Sequence, residues 1–522
     1  MRSPCRFPQG STWPGNSDNL SNAWPDEKSV VSLAWSGTKI GFRRATVNLV
    51  ARPELVPIPP HPIERYREVL GEEFPAFEAV AEVARKRFAG RAIWHVNSTA
   101  RGGGVAEILH GLLPYVRGAG VDTRWAVLRE EPAFFAITKR LHNVLHGDPG
   151  DGGPLGEEER TLYEAALRAS AAQLGRLIQR GDVVYLHDPQ TAGLVPAMRE
   201  LGARVVWRCH IGVDHPGELV RGGWAFVLPY VRDADALVFS RAAYVWEGLD
   251  RDRVWLMPPS IDPFAPKNQD LGPEAVTAIL GAIGLGASVP AAAPTFERGD
   301  GTPGRVERGA ELHQDAPLPA GAKLVAQVSR WDRLKDPRGL LACFAAHVEE
   351  PAHLALVGPS TAAVADDPEG ASVYGDVTES WRRLPDEVRE RVHLVSLPMD
   401  DQDENAAMVN AIQRRADAIV QKSVAEGFGL TVAEAMWKER PVVASRVGGI
   451  QDQIVDGLSG ILIDDPADLA AFGVAIGGVL RDPDLAERLG RAARERVRER
   501  FLAIGRLREY VELVGSLIDG GA

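Results

Sequence analysis

Two basic residues, Arg330 and Lys335, follow an apolar run that ends at Val328. In an open α/β sheet, ligands bind outside the carboxyl ends of the strands. A planar guanidinium fork beside an ammonium point charge suits a diphosphate there. A solvated basic turn, partly neutralised by Asp332 and Asp336, would use the same residues. A second cluster runs Glu426-Gly427-Phe428-Gly429-Leu430-Thr431-Val432-Ala433-Glu434. Its glycines let backbone amides approach a ligand closely, and a helix beginning near Thr431 would aim its positive dipole end at the same place. Thr431 with Glu434 also fits a capping box, which accounts for Glu434 without any ligand. It does not account for Glu426, which lies outside the helix.

Further candidates fall in the first half of the chain. His187-Asp188-Pro189-Gln190 ends one apolar run and His210-Ile211-Gly212-Val213-Asp214 ends the next. A lone histidine at such a place is usually structural, but two on adjacent strand ends suggest a pocket. Gly102-Gly103-Gly104 sits between a strand ending in Asn97-Ser98-Thr99 and a helix; without the spaced dinucleotide fingerprint it can be only a turn. Asp233 and Asp235 form an acidic pair, but they precede a strand instead of following one and read as a surface turn. Asp400 to Glu404 reads as an exposed acidic loop.

These residues need a scaffold of alternating strands and helices. Short apolar runs at 92–96, 123–128, 182–186, 204–208 and 236–239 are separated by helix-length segments. The pattern then resets, with runs at 323–328, 353–357, 392–396, 418–421, 441–444 and 460–463. Alternation of this kind predicts two parallel sheets with crossover helices, hence two α/β domains. The expected division is a disordered tail over 1–45, a first Rossmann-like domain over 46–255, and a second over 256–500. A helical stretch is expected from Ile63 to Phe88. Residues 286–320, rich in Ala, Pro and Gly, read as a flexible insertion. A last amphipathic stretch, Asp482 to Ile518, is expected to pack back across the domain junction, with 501–522 as the crossing helix.

At 522 residues, 45% hydrophobic and 25% charged, the chain has the composition of a globular enzyme of more than one domain. A net charge of -12 argues against a nucleic-acid partner. No run approaches the roughly 20 apolar residues that span a bilayer. The scattered Cys5, Cys209 and Cys343 fit neither a metal site nor a disulfide framework. A cytoplasmic location is the expectation, with no membrane partner.

The constellation is recognisable. Two α/β domains, the Arg330/Lys335 pair and the Glu426/Glu434 pair resemble the retaining GT-B glycosyltransferases of family GT4. The strings His95–Thr99, Gly102–Glu107, His187–Gln190, Glu404–Gln413, Gln421–Ser423, Glu426–Trp437 and Val447–Ile450 are similar to those of the trehalose glycosyltransferring synthases. The resemblance covers roughly residues 60–510 outside 286–320. It implies two Rossmann-like domains flanking a cleft, and transfer of glucose from an NDP-glucose to free glucose to give α,α-trehalose. It implies that Arg330 and Lys335 hold the diphosphate, Glu434 the ribose, and Glu426 the donor glucose. Gly427, Phe428, Gly429 and Leu430 would offer donor contacts, and Gly103 and Gly104 would approach the diphosphate from the first domain. Asp188, with His187 and Asn97, would bind the acceptor, and His210 would sit beside the reacting carbon. No resident cofactor and no required metal are implied, with Mg²⁺ admitted as a stimulant and a homodimer as an assembly. Trehalose phosphorylase, another GT4 glucosyltransferase, and a catalytically silent sugar-nucleotide sensor are the alternatives. The bases ADP, UDP and GDP are not distinguished.

Overall fold

The computed structural model describes residues 53–519 except 102, 288–292, 350 and 362–367. The expected tail over 1–45, Gly102 and Cys5 therefore lie outside the described residues. The first sheet contains β1 (Glu54–Val56), β2 (Ile93–Asn97), β3 (Thr123–Val127), β4 (Val183–His187), β5 (Arg204–Cys209), β6 (Ala236–Phe239) and β7 (Val254–Leu256). Their spatial order is β1-β3-β2-β4-β5-β6-β7, with all pairs parallel except β1 against β3. The inner strands are mostly apolar because helices cover both faces: every residue of β2 and β4 is buried, including the polar His95, Asn97 and His187.

A hairpin of β8 (Thr295–Glu297) and β9 (Pro303–Arg305) precedes the second sheet. That sheet holds β10 (Glu311–His313), β11 (Lys323–Val328), β12 (Ala352–Pro359), β13 (Val392–Leu397), β14 (Ala418–Gln421), β15 (Val442–Ser445) and β16 (Ile461–Ile463). Its order is β10-β13-β12-β11-β14-β15-β16, parallel except for β10 against β13. The winding reverses between β2 and β4 in the first sheet and between β11 and β14 in the second. Open α/β sheets bind ligands at such points, and the candidate residues follow these four strands or lie beside them.

Three sequence expectations need correction. The segment 286–320 is not a flexible insertion where it is described. Phe296, Val306 and Leu318 are buried in the second domain's core, and β10 extends its sheet. Glu404, 1% exposed, anchors the segment by accepting from the Glu307 and Arg308 amides at 2.5 and 2.7 Å and pairing with the Arg308 guanidinium. The acidic run 400–404 is thus no exposed loop: Asp401 also caps the helix Gln402–Arg415. The stretch Ile63–Phe88 is broken at Gly71 (φ 52°), leaving the helices Arg67–Leu70 and Phe74–Arg87.

The C-terminal stretch is two helices. Pro483–Arg500 belongs to the second domain, Ile261 bridges to Leu502, and Leu507–Asp519 packs on the first domain. Leu507, Tyr510, Val511 and Val514 are buried there among Ile93, Leu109, Leu113 and Val183. No helix among the described residues is long and apolar enough to cross a membrane.

Candidate active site

After β11, Asp332 accepts the Leu334 amide at 2.8 Å and turns the chain through Arg333–Lys335. That turn points Lys335 inward, where Nζ stands 2.5 Å from Glu426 Oε2, with both side chains about one-eighth exposed. Ser423 Oγ donates to the same carboxylate oxygen at 3.2 Å. Ions removed from water must be paired to persist, so the sequence-distant Lys335 and Glu426 are one unit. Arg330 reaches the same strand end but is half exposed and paired with Asp332 at 2.9 Å.

The helix Leu430–Trp437 begins one residue before Thr431, and its N-cap is Gly429 at φ 84°. A side chain there would be strained, and its Cβ would stand 3.1 Å from Ile450 and 3.3 Å from Glu426. The capping-box reading of Thr431 and Glu434 therefore fails. Thr431 Oγ1 bonds Gln421 at 3.2 Å, and Glu434 is the fifth helical residue, beyond reach of the orphan amides. Glu434 faces a cavity of about 320 Å³ also lined by Glu107, His110, Lys267, Gln402 and Leu430. Its Oε1 lies 3.6 Å from Lys267 Nζ, and its buried Oε2 has no hydrogen-bond partner among the described residues. Burial raises the Glu434 pKa, opposed by Lys267. An orphaned carboxylate oxygen beside a cavity is a candidate acceptor for a ligand's hydroxyl groups.

The first domain brings its own residues to this junction. Gly103, at φ 83°, precedes the helix Gly104–Gly118, and a Cβ on Gly104 would stand 3.4 Å from Leu430. A Cβ on Gly427 would stand 3.2 Å from the His210 carbonyl oxygen. The end of β5 and the glycine loop after β14 thus face each other closely. Phe428 is packed near Phe501, leaving only its backbone for a ligand. Asp188, at φ 63°, accepts the His210 amide at 2.7 Å, and burial pushes its carboxyl up to about 7.

His187 has no ring nitrogen left for an acceptor, whereas Asn97 is only partly committed. His187 is 1% exposed and uses both ring nitrogens, at 3.1 Å to His95 and 3.2 Å to His210. Asn97 donates to the Thr99 carbonyl at 2.7 Å and accepts from Trp125 Nε1 at 2.8 Å. Position at a strand end was visible in sequence; satisfaction by neighbouring strands was not. Asp235 is held by the Val205 amide at 2.8 Å and by Arg199 at 3.5 Å.

Sequence reasoning missed three groups. Lys267 sits between Glu107 (2.8 Å) and Glu434; burial opposes its charge, but the two carboxylates hold its pKa above the ordinary value. His142 and His146 lie one helical turn apart, their ring centroids 4.6 Å apart and the rings tilted at 48°, near Lys335. Burial, then neighbouring His146, Lys139, Arg330 and Lys335, lowers the His142 pKa. Their four-residue spacing was the available signal. Arg241 and Tyr244 join Asp214, already visible in the sequence as the end of the string after β5, in tying the first domain to the second. Tyr244 Oη donates to the Gly427 carbonyl at 2.8 Å, and Asp214 accepts the Gly448 amide at 3.0 Å.

Comparisons with known proteins show the family and the fold. Residues 95–246 match the family model described as trehalose synthase, N-terminal domain, and residues 310–496 match glycosyl transferases group 1. A trehalose synthase of Rubrobacter xylanophilus is 35% identical over 87% of this chain and 96% of its own length. A trehalose phosphorylase of Pleurotus pulmonarius is 27% identical over 86% of this chain but only 60% of its own. Among solved structures, an α,α-trehalose-phosphate synthase (UDP-forming) from Burkholderia vietnamiensis superposes with a TM-score of 0.59 at 15% identity. It covers 81% of this chain and 98% of that one. At that identity it speaks for the fold, which is GT-B.

Proposed function

Since the chain belongs to the trehalose synthase family and is a glycosyltransferase, we propose that it joins the glucosyl unit of an NDP-glucose to free glucose, making α,α-trehalose and NDP reversibly. The bond from donor C1 to the β-phosphate oxygen breaks, and a bond from C1 to the anomeric oxygen of glucose forms on the same face. The proton of the attacking hydroxyl passes to the departing phosphate oxygen. Charge therefore develops on the diphosphate, and fixed cations stabilise it without reorganising. Lys335 has three donors and spends one on Glu426, so two remain for phosphate oxygens; Arg330 at the same strand end supplies the fork.

The observation that carries the reading is Glu434 Oε2, buried, unpartnered and beside the cavity. Ribose hydroxyls are donors of the kind such an oxygen lacks. Glu426 then faces the donor sugar, the amides of Gly427 to Leu430 and of Gly103 and Gly104 line its path, and Asp188 meets the acceptor. Asp188 is a poor covalent nucleophile, since burial holds its pKa near neutrality and one oxygen is already bonded to His210. Front-face attack is favoured. No resident cofactor or required metal enters the reading, and Mg²⁺ acts at most as a stimulant. The cytoplasm is the proposed location, and a homodimer the proposed assembly.

The test is an incubation with each NDP-glucose in excess chelator, with glucose present or absent, and with NDP and trehalose both quantified. Equal amounts of the two, only when glucose is present, are expected. Trehalose made from glucose 1-phosphate but from no NDP-glucose would replace this reading with a phosphorylase.

A further inference from the structure

A row of aromatic rings crosses the first domain on the face covered by the C-terminal helix. Tyr510 Oη lies 2.8 Å from His95 Nε2, His95 Nδ1 lies 3.1 Å from His187 Nε2, and His187 Nδ1 lies 3.2 Å from His210 Nε2. The rings are stacked nearly parallel, at 27° between His95 and His187 and 17° between His187 and His210. His95 lies in β2, His187 ends β4 and His210 follows β5, so period-two alternation puts all three on one face. At the far end, His210 Nδ1 is buried with no partner among the described residues.

Burial, then the neighbouring rings at His187 and the positive Arg208, lowers the pKa of all three rings and so favours their neutral forms. A neutral imidazole has one N–H and one lone pair, so the bonds must run head to tail in one of two directions. Imidazole nitrogen is a far better acceptor than a phenol oxygen, and a phenol is the more acidic donor. The direction is therefore Tyr510 O–H to His95, His95 Nδ1–H to His187, and His187 Nδ1–H to His210 Nε2. That leaves the proton of His210 on Nδ1.

We propose that Tyr510, His95 and His187 are positioning residues that fix the tautomer of His210, so that its Nδ1–H is held ready to donate to a sugar hydroxyl oxygen in the cleft. The proposal rests on the glucosyl-transfer reading for the identity of that oxygen. It gives the crossing helix a chemical part in the site: the hydroxyl that sets the tautomer comes from Leu507–Asp519. At metal-bound histidines, loss of the outlying partner that fixes the ring typically costs about 10-fold to 100-fold in affinity or activity, and an effect at the lower end is expected for this metal-free ring.

The test is ¹⁵N–¹H correlation of the His210 ring in the unliganded wild type and in Tyr510→Phe, with kcat/KM and thermal unfolding alongside. The Phe variant keeps the stacked ring and removes only the hydroxyl. The wild type is expected to carry the His210 proton on Nδ1. The variant is expected to lose that single tautomer while staying folded, with kcat/KM lower by about 10-fold. A wild-type proton on Nε2, or a variant with the His210 tautomer unchanged, overturns the proposal. The wild-type spectrum decides by itself if the variant fails to fold. It also stands apart from the function, because a tautomer is read without turnover.

Discussion

Glu434 shows how one helical position separates two roles that sequence could not. As a capping residue it would tolerate Gln, which serves at that place nearly as well; as the fifth residue of Leu430–Trp437 it has no cap to make. If it accepts from both ribose hydroxyls, Glu434→Gln turns a charged acceptor into an amide. Bonds to charged groups are worth about 1.5–3 kcal/mol each, so NDP-glucose affinity should fall at least about 10-fold. Glucose affinity should hold, because Asp188 lies on the other domain. Paired donor and acceptor titrations, with thermal unfolding as a control, check this; unchanged donor affinity in a normally stable variant would remove the ribose role. Residue types were legible here because Arg330, Lys335, Glu426 and Glu434 stand at fixed spacings. Their partners were not: the bond between Lys335 and Glu426 closes 91 residues of chain. The ammonium of Lys267 had no local signal at all.

At the scale of elements, inner strands were legible because each is a short buried apolar run bounded by turn residues. Edge strands β1, β7 and β10 are three residues long, too short to show a period. Strand ends were located, but not which of their side chains are consumed within the sheet, as both ring nitrogens of His187 are. The same burial has a consequence for stability. Burial, and then Arg208, pushes His95 down to about 3, against about 6.5 in an unfolded chain. Below the unfolded value the unfolded state takes a proton that the folded state refuses, so stability present above about pH 6.5 is lost as pH falls toward 3. Asp188 has the opposite sign: its raised pKa favours the fold at low pH and that contribution is lost as pH rises through about 7. His187 and His210 are lowered like His95 and outnumber it. Urea unfolding at a series of pH values should show wild type losing stability toward acid faster than His95→Gln. The expected difference is about 1 kcal/mol per pH unit below about pH 6. Parallel curves would mean that His95 is charged in the folded protein.

Across the whole molecule, the two sheets meet in a joint made by backbone as much as by side chains. Asp214 receives the Gly448 amide and the Gln451 side chain, both at 3.0 Å, and Arg241 reaches the Gly448 carbonyl at 2.5 Å and Asp452 at 2.9 Å. Gly448 is obligatory: at φ 49° a Cβ would lie 1.6 Å from the Glu426 carbonyl oxygen. On the proposed reading, a joint held this closely beside Glu426 and Gly427 would keep water from the reacting carbon, which a transferase needs if it is not to hydrolyse its donor. Two α/β domains and a returning C-terminal helix could be read from the alternation of apolar runs. The closeness of the joint could not, because it depends on backbone atoms that carry no sequence signature. The central claim, same-face transfer between two anomeric carbons, is tested most directly by ¹³C NMR of the product from NDP-[1-¹³C]glucose and unlabelled glucose. The account predicts one labelled disaccharide, α,α-trehalose, with the label in an α linkage and NDP released in equal amount. An α,β linkage, or label found only in free glucose, would contradict it.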